Sequence, residues 1–203
     1  QPYVEYGLTE AITLGGSVFL QQVQQSGQVN EGIADPEAFA RWTWYRDAVQ
    51  VISVQPRVKA PSYFLESGGV RGGSDAMELE GALLYGRNLT IIDASDYVDM
   101  KSGYRYRHGG LSAQWVNDVS VGLKLDPQLE VISALFSAVA VDPARGAAYR
   151  EDGAHDASFI KGQLAALYRL NEKQSVHAAI FYDIAGSQVG AGQGITLGFS
   201  QRF

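Results

Sequence analysis

The C-terminal stretch alternates side-chain character residue by residue. Ile195, Leu197, Phe199 and Phe203 share one face, with Gln201 the exception, while Thr196, Gly198, Ser200 and Arg202 share the other. Period two marks a β-strand set between two unlike environments, because successive side chains point to opposite faces. The alternation recurs along the chain. Val176, Ala178, Ile180, Tyr182 and Ile184 oppose Ser175, His177, Ala179, Phe181 and Asp183, and Ile160, Leu164, Ala166, Tyr168 and Leu170 oppose Lys161, Gln163, Ala165 and Arg169. Val98, Met100, Tyr104 and Tyr106 oppose Asp99, Lys101, Gly103, Arg105 and Arg107. Met77, Leu79, Leu83 and Tyr85 oppose Glu78, Glu80, Ala82 and Leu84, Ile52, Val54, Pro56 and Val58 oppose Ser53, Gln55, Arg57 and Lys59, and Ile12, Leu14, Val18 and Leu20 oppose Thr13, Gly15, Ser17 and Gln21. Charges that recur every second residue exclude amphipathic helices.

Two segments fit less well. Between Trp115 and Lys124, Asn117 falls on the apolar face, and Leu129 to Val141 is apolar on both faces, which leaves its register unassigned. That second stretch is also too short for a membrane helix, which needs about 20 apolar residues. A membrane-spanning form of this chain is therefore built from strands.

Alternation does not say which face meets water, since a soluble ligand-binding barrel shows the same pattern inverted. Strand length, connections and aromatic placement decide for a membrane barrel. Several segments alternate for about ten residues, the length a tilted strand needs to cross a bilayer and longer than the usual soluble strand. Tight turns at Thr9-Glu10, Arg46-Asp47, Asp126-Pro127-Gln128 and Asn171-Glu172-Lys173 alternate with longer polar links at Ser26 to Pro36, Ser62 to Ser74 and Asp142 to His155. Outer-membrane barrels place short turns on the periplasmic side and long loops outside. Trp42, Trp44, Tyr85, Tyr104, Tyr106, Trp115, Tyr168, Phe199 and Phe203 gather near strand ends, where rings with one apolar and one wet edge prefer to sit.

The expected fold is all-β: a transmembrane, antiparallel up-and-down β-barrel, with residues 1–203 forming a single domain. The pattern gives about eleven strands. Bacterial barrels have even strand numbers with both termini periplasmic, so about twelve are expected, with an upward first strand ahead of Gln1. A ten-stranded closure with Tyr3 to Leu8 peripheral is the alternative. Such a barrel implies the outer membrane of a Gram-negative bacterium, with lipid and lipopolysaccharide around it. The terminal Phe203 is similar to the signal by which outer-membrane barrels engage their assembly machinery.

Two hairpins carry a family resemblance. The stretches Tyr3 to Gly16 (YVEYGLTEAITLGG) and Gly190 to Phe199 (GAGQGITLGF) resemble proteobacterial outer-membrane proteins of the meta-pathway phenol-degradation transporter-like family. The similarity extends loosely through Leu83 to Arg87 and Gly103 to Arg107. It implies a porin-like protein or one that takes up aromatic or other small hydrophobic compounds. The shared motifs describe hairpins and contain no chemical site.

With the apolar faces toward lipid, the polar faces line the lumen. Its candidate residues are Arg57, Lys59, Glu78, Glu80, Asp99, Lys101, Arg105, Arg107, Lys161, Gln163 and Asp183, joined by Glu5, Asp118, Lys124, Arg169 and His177. Arg57 and Lys59 precede the acidic strand of Glu78 and Glu80, and Lys101, Arg105 and Arg107 follow it, so the charges are placed to pair across neighbouring strands. Two readings follow: a polar constriction that selects a small-molecule solute, as charged rings do in pores, or a salt-bridge ladder that plugs a narrow barrel and leaves a structural or partner-binding role. His177 is expected as a lumenal hydrogen-bonder.

Other functions find little support. Lys plus Arg number 16 against 22 for Asp plus Glu, a net charge of -6 that argues against a nucleic-acid partner. With no cysteine, thiolate metal sites and cysteine nucleophiles are excluded. His108, His155 and His177 are too scattered for a metal site and stand beside no recognisable serine nucleophile motif. Gly186 to Gly192 is glycine-rich but joins two strands, with no helix N-terminus for a phosphate. No enzyme activity and no cofactor is expected.

Overall fold

The computed structural model describes residues 2–25, 28–61, 64–65, 71–72, 76–109, 111–141, 157–187 and 192–202, the side chains within 20–31 and of 64–65 and 71–72 excepted. Among the described residues every regular element is a strand. They are β1 (Tyr3–Gly7), β2 (Ile12–Gln25), β3 (Gln28–Arg46), β4 (Gln50–Lys59), β5 (Phe64–Leu65), β6 (Arg71–Gly72), β7 (Glu78–Leu89), β8 (Asp96–Arg107), β9 (Gln114–Lys124), β10 (Leu129–Ala140), β11 (Ser158–Arg169), β12 (Gln174–Ser187) and β13 (Gln193–Gln201). Eleven form one sheet in which each strand pairs antiparallel with its neighbours in the chain, while β5 and β6 pair only with each other. This is the up-and-down order expected, with β4 to β13, the β5–β6 pair aside, spanning 9 to 14 residues each.

Two expectations change. The link from Ser26 to Pro36 is largely strand: β2 and β3 stay in register from Phe19↔Ala34 to Gln25↔Gln28, so only two residues join them. A two-residue connection lets the backbone ladder continue to its end, and the polar composition that suggested a loop belongs to a hairpin. The ten-stranded alternative also fails, because β1 pairs with β2 from Tyr3↔Ser17 to Gly7↔Thr13. The sheet edges are β1 and β13, and both run toward the short-turn end. Phe203, His155 and residues 188–191 lie outside the described residues.

Burial shows which face is inside. Leu79, Leu164 and Leu197 are 45%, 50% and 78% exposed, whereas Glu80 and Gln114 are 4% and 3% exposed. A soluble domain buries its leucines and exposes its acids. This sheet does the reverse, as a wall between hydrocarbon and a polar interior requires. The exposed aromatics fall in two bands, Tyr6, Trp42, Trp44, Tyr168 and Phe199 toward the short turns and Tyr104, Tyr106, Trp115 and Tyr182 toward the long connections.

The sheet is strongly curved. One cavity of about 510 Å³ is lined by residues from β2, β3, β4, β7, β8, β9, β10 and β11. In a flat sheet β2 and β11 would stand roughly 34 Å apart at the usual strand spacing, so the sheet wraps around a common interior. Glycines help it do so, because interior rings lie over glycines of the adjacent strand: Phe39 over Gly15, Tyr97 over Gly122, Phe181 over Gly194 and His177 over Gly198. A Cβ at Gly122 would sit 2.3 Å from the Tyr97 ring, a contact only glycine avoids.

Candidate functional site: a charged ladder beside a lumenal cavity

The ladder is built on β4, β7 and β8. Register sets it, since Arg57 lies opposite Glu80 and Lys59 opposite Glu78, and those acids lie opposite Arg105 and Arg107. Glu80 is the hub. Its carboxylate accepts from Arg57 Nη2 at 2.8 Å and from Arg105 Nε at 2.9 Å, and Lys101 Nζ stands 3.0 Å away. Glu78 receives Lys59 at 2.9 Å, with Arg57 and Arg105 at 3.6 and 3.7 Å. A covered carboxylate is stabilised by pairing and hydrogen bonding: Arg57 and Arg105 hydrogen-bond the Oε2 of Glu80, while Lys101 pairs with its Oε1 through charge alone.

The ladder extends over both neighbours. On β3, Glu37 binds Arg57 Nη1 at 2.5 Å and accepts from Ser17 Oγ at 2.9 Å, and Asp35 stands 3.8 Å from Lys59. Asp35 adopts the left-handed conformation, φ 47°, where β2 slips register between Ser17 and Phe19, and the bulge re-aims its side chain. Arg41 joins Glu5 at 2.9 Å and donates to Gln55 at 3.0 Å. On β9, Asp118 stands 3.0 Å from Lys101, and Gln114 accepts from Arg105 at 3.2 Å. Among the described residues, Arg41, Arg57, Lys59, Lys101 and Arg105 all have an acid within 4 Å.

The opposite wall differs. On β10 to β12 the interior positions hold Ile132, Ala134, Phe136, Ala165 and Ala179, beside Gln163, which lines the cavity. Lys161 and Asp183 approach only to 3.7 Å, with the Lys161 ammonium 4.9 Å from the centre of the Phe181 ring and 5.7 Å from that of Phe159. Toward the short turns, Glu130 accepts from Arg169 Nη2 at 2.8 Å and from the Tyr97 hydroxyl at 2.9 Å.

The structure thus brings Arg57, Lys59, Glu78, Glu80, Lys101 and Arg105 into one cluster and separates the rest. Arg107 is turned aside, its Nε donating 2.7 Å to the Ser112 carbonyl at the β8–β9 connection. Asp99 and Gln163 face the cavity. His177 makes no hydrogen bond through its side chain among the described residues. Its ring is set against Gly198 instead, a packing role where a polar one was expected. The sequence pattern passes over Asp35, Glu37, Arg41, Gln114 and Glu130, and places Gln55 on the polar face of β4 without a role. Glu37 and Arg41 share a face with Phe39, which hides the alternation of β3, and Glu130 opens the stretch whose register was unassigned.

The turns that hold these strands are fixed by carboxylates. Asp96, fully buried, accepts the Ile91, Ile92, Asp93 and Lys124 N–H groups. Asp47 sits in the β3–β4 turn, and the Val49 N–H, the Tyr45 hydroxyl and the Gln50 N–H hold its carboxyl down at about 2.

No protein-family model and no curated protein matches this chain. Solved structures do. The KdgM porin in complex with disordered oligogalacturonate aligns with a TM-score of 0.63 at 10% identity, over 99% of this chain and 90% of that one. An outer membrane channel from Pseudomonas putida F1 aligns with a TM-score of 0.69 at 14% identity, over 96% of this chain and 78% of that one. The chain has the fold of outer-membrane β-barrel channels.

Proposed function

We propose that this protein is a porin-like channel of the Gram-negative outer membrane that passes small solutes. One observation carries the reading: the buried charges pair with one another along one wall, and a cavity of about 510 Å³ stays free beside them. A ladder closed on itself narrows the lumen without filling it. The fold shared with a porin and an outer membrane channel supports the same reading. Arg57, Lys59, Glu78, Glu80, Lys101 and Arg105 then form the constriction, and Asp99, Gln163, Lys161 and Asp183 line the path beside it.

The solute class follows from the charge balance. The bases of the ladder are neutralised in place, so an extended polyanion finds no continuous basic track. Compact solutes with little net charge suit this lumen, and the resemblance to the meta-pathway phenol-degradation transporter-like family points to aromatic or other small hydrophobic compounds. Lipid and lipopolysaccharide surround the exposed apolar face, and the assembly machinery inserts the barrel. Catalysis forms no part of the proposal. The test is refolded full chain in planar bilayers and in liposomes. Discrete conductance steps and solute-driven swelling are expected; the absence of both would leave the plugged, structural barrel as the better reading.

A further inference from the structure

The lumenal cavity is lined by both apolar and charged side chains. Ile132, Ala134 and Phe136 of β10 line it together with Asp99 of β8, two strands away, and Asp99 and Ala134 are both in register with Ser120 of β9. Asp99 differs from the acids of the ladder: among the described residues its carboxylate makes no hydrogen bond and has no cation within 4 Å, and its Oδ1 rests over Gly86, 2.7 Å from where a Cβ would stand. Two of the three bases that line the cavity are already engaged. Arg41 is held by Glu5 and Gln55, and Lys101 by Glu80 and Asp118. Arg46 borders the same cavity from the end of β3, at the level of Asp99 with Val51 and Gly86 between them. A carboxylate with no direct ion pair in a confined, partly apolar chamber attracts a cation more strongly than one in open water does.

We infer that this cavity is a binding site for small amphipathic cations, an ammonium group meeting Asp99 while an apolar body lies against Ile132, Ala134 and Phe136. The cavity volume falls within the range of sites that enclose a single small molecule. The polar and apolar contacts lie side by side, Asp99 and Ala134 flanking Ser120, so a ligand with both parts spans them and is recognised as a unit. The inference takes from the proposed channel only the route by which the ligand arrives.

The test is calorimetric titration of the full chain folded in detergent micelles at neutral pH, with 2-phenylethylammonium, the neutral 2-phenylethanol and the anionic 3-phenylpropanoate, each against a micelle blank. The ammonium is expected to bind about tenfold more tightly than the alcohol, the usual gain from a charge-assisted contact. Asp99→Asn and Asp99→Ser, both checked for heat-modifiable migration of the folded barrel, should abolish that preference. Phe136→Ala should weaken ammonium and alcohol alike. Equal binding of ammonium and alcohol, tighter binding of the anion, or an undiminished preference in a folded Asp99 variant overturns the site. Binding with that preference in a chain that shows no conductance upholds the site and removes the channel reading. Conductance without the preference does the opposite.

Discussion

The two walls of the lumen solve one problem in different ways. On β3, β4, β7, β8 and β9 the interior is charged, and Arg57, Lys59, Lys101 and Arg105 are each matched by an acid on a neighbouring strand. On β10, β11 and β12 it is mostly small or apolar, with Ala134, Ala138, Ala165 and Ala179 buried and the rings of Phe159 and Phe181 flanking one lysine. The first wall is held by pairing and becomes costly when a partner is lost. The second leaves volume. A barrel whose walls were both ladders would fill its interior, and one whose walls were both alanine would hold no polar path. The contrast teaches that opening and rigidity are assigned to different strands.

The largest expected effect is on the ladder's hub. Glu80→Ala leaves Arg57, Lys101 and Arg105 around an empty position and should lower stability by about 3 kcal/mol, as removal of one partner from a buried network does. On the other wall Lys161→Met breaks a long, partly exposed contact and should cost less than about 1 kcal/mol. Denaturant unfolding in micelles or lipid gives both numbers, and equal losses would erase the distinction between the walls. Next comes the outer surface. Leu164→Arg should destabilise by about 2–4 kcal/mol in a bilayer, as a cation on the lipid face does, whereas Gln163→Arg, one residue away and facing the lumen, should change stability little. The reverse order in lipid-vesicle unfolding would invert the inside and outside of the sheet.

Smaller effects sharpen the picture. Gly122→Ala pushes Tyr97 from its resting place and from Glu130, at a cost of about 1–2 kcal/mol of the overpacking kind, read as a lower unfolding midpoint. The smallest effect lies in a turn outside both walls. The carboxyl of Asp47 is held at about 2, below its value in the unfolded chain. Its contribution is therefore complete above the ordinary carboxylate range and is lost as pH falls through about 2. A carbon-13 titration of Asp47 should show its midpoint there, and a midpoint near the usual carboxylate value of about 4 would remove this turn clasp.

Much of this was legible in the sequence. Period two with long strands gave the barrel, and the run of Arg57 and Lys59, then Glu78 and Glu80, then Lys101 and Arg105 gave the ladder, because antiparallel neighbours with short turns bring such runs side by side. The rest depended on register. Glu37 and Arg41 flank Phe39, whose interior place makes sense only once Gly15 is known to lie beneath it. Glu130 became assignable once β10 paired with β9 and β11, which put it beside Lys124 and Leu167. The stretch from Ser26 to Pro36 reads as a loop in the sequence because its polar composition lacks the apolar face that periodicity needs, although most of it is the first arm of β3. Asp99 was recognised as lumenal, but that it stays unpaired while its neighbours pair is a matter of distances no sequence states.

The orientation of the sheet can be tested most directly with single cysteines, since the chain has none of its own. Leu79, Leu164 and Leu197 on one face, and Ser53, Ala134 and Ala165 on the other, would each be replaced by Cys, labelled with bimane and read in nitroxide-lipid vesicles. The first three should be quenched by the lipid-borne nitroxide and the second three by a water-soluble quencher instead. Lipid quenching at Ser53, Ala134 and Ala165, with Leu79, Leu164 and Leu197 protected, would place the charged ladder outside and contradict the barrel described above.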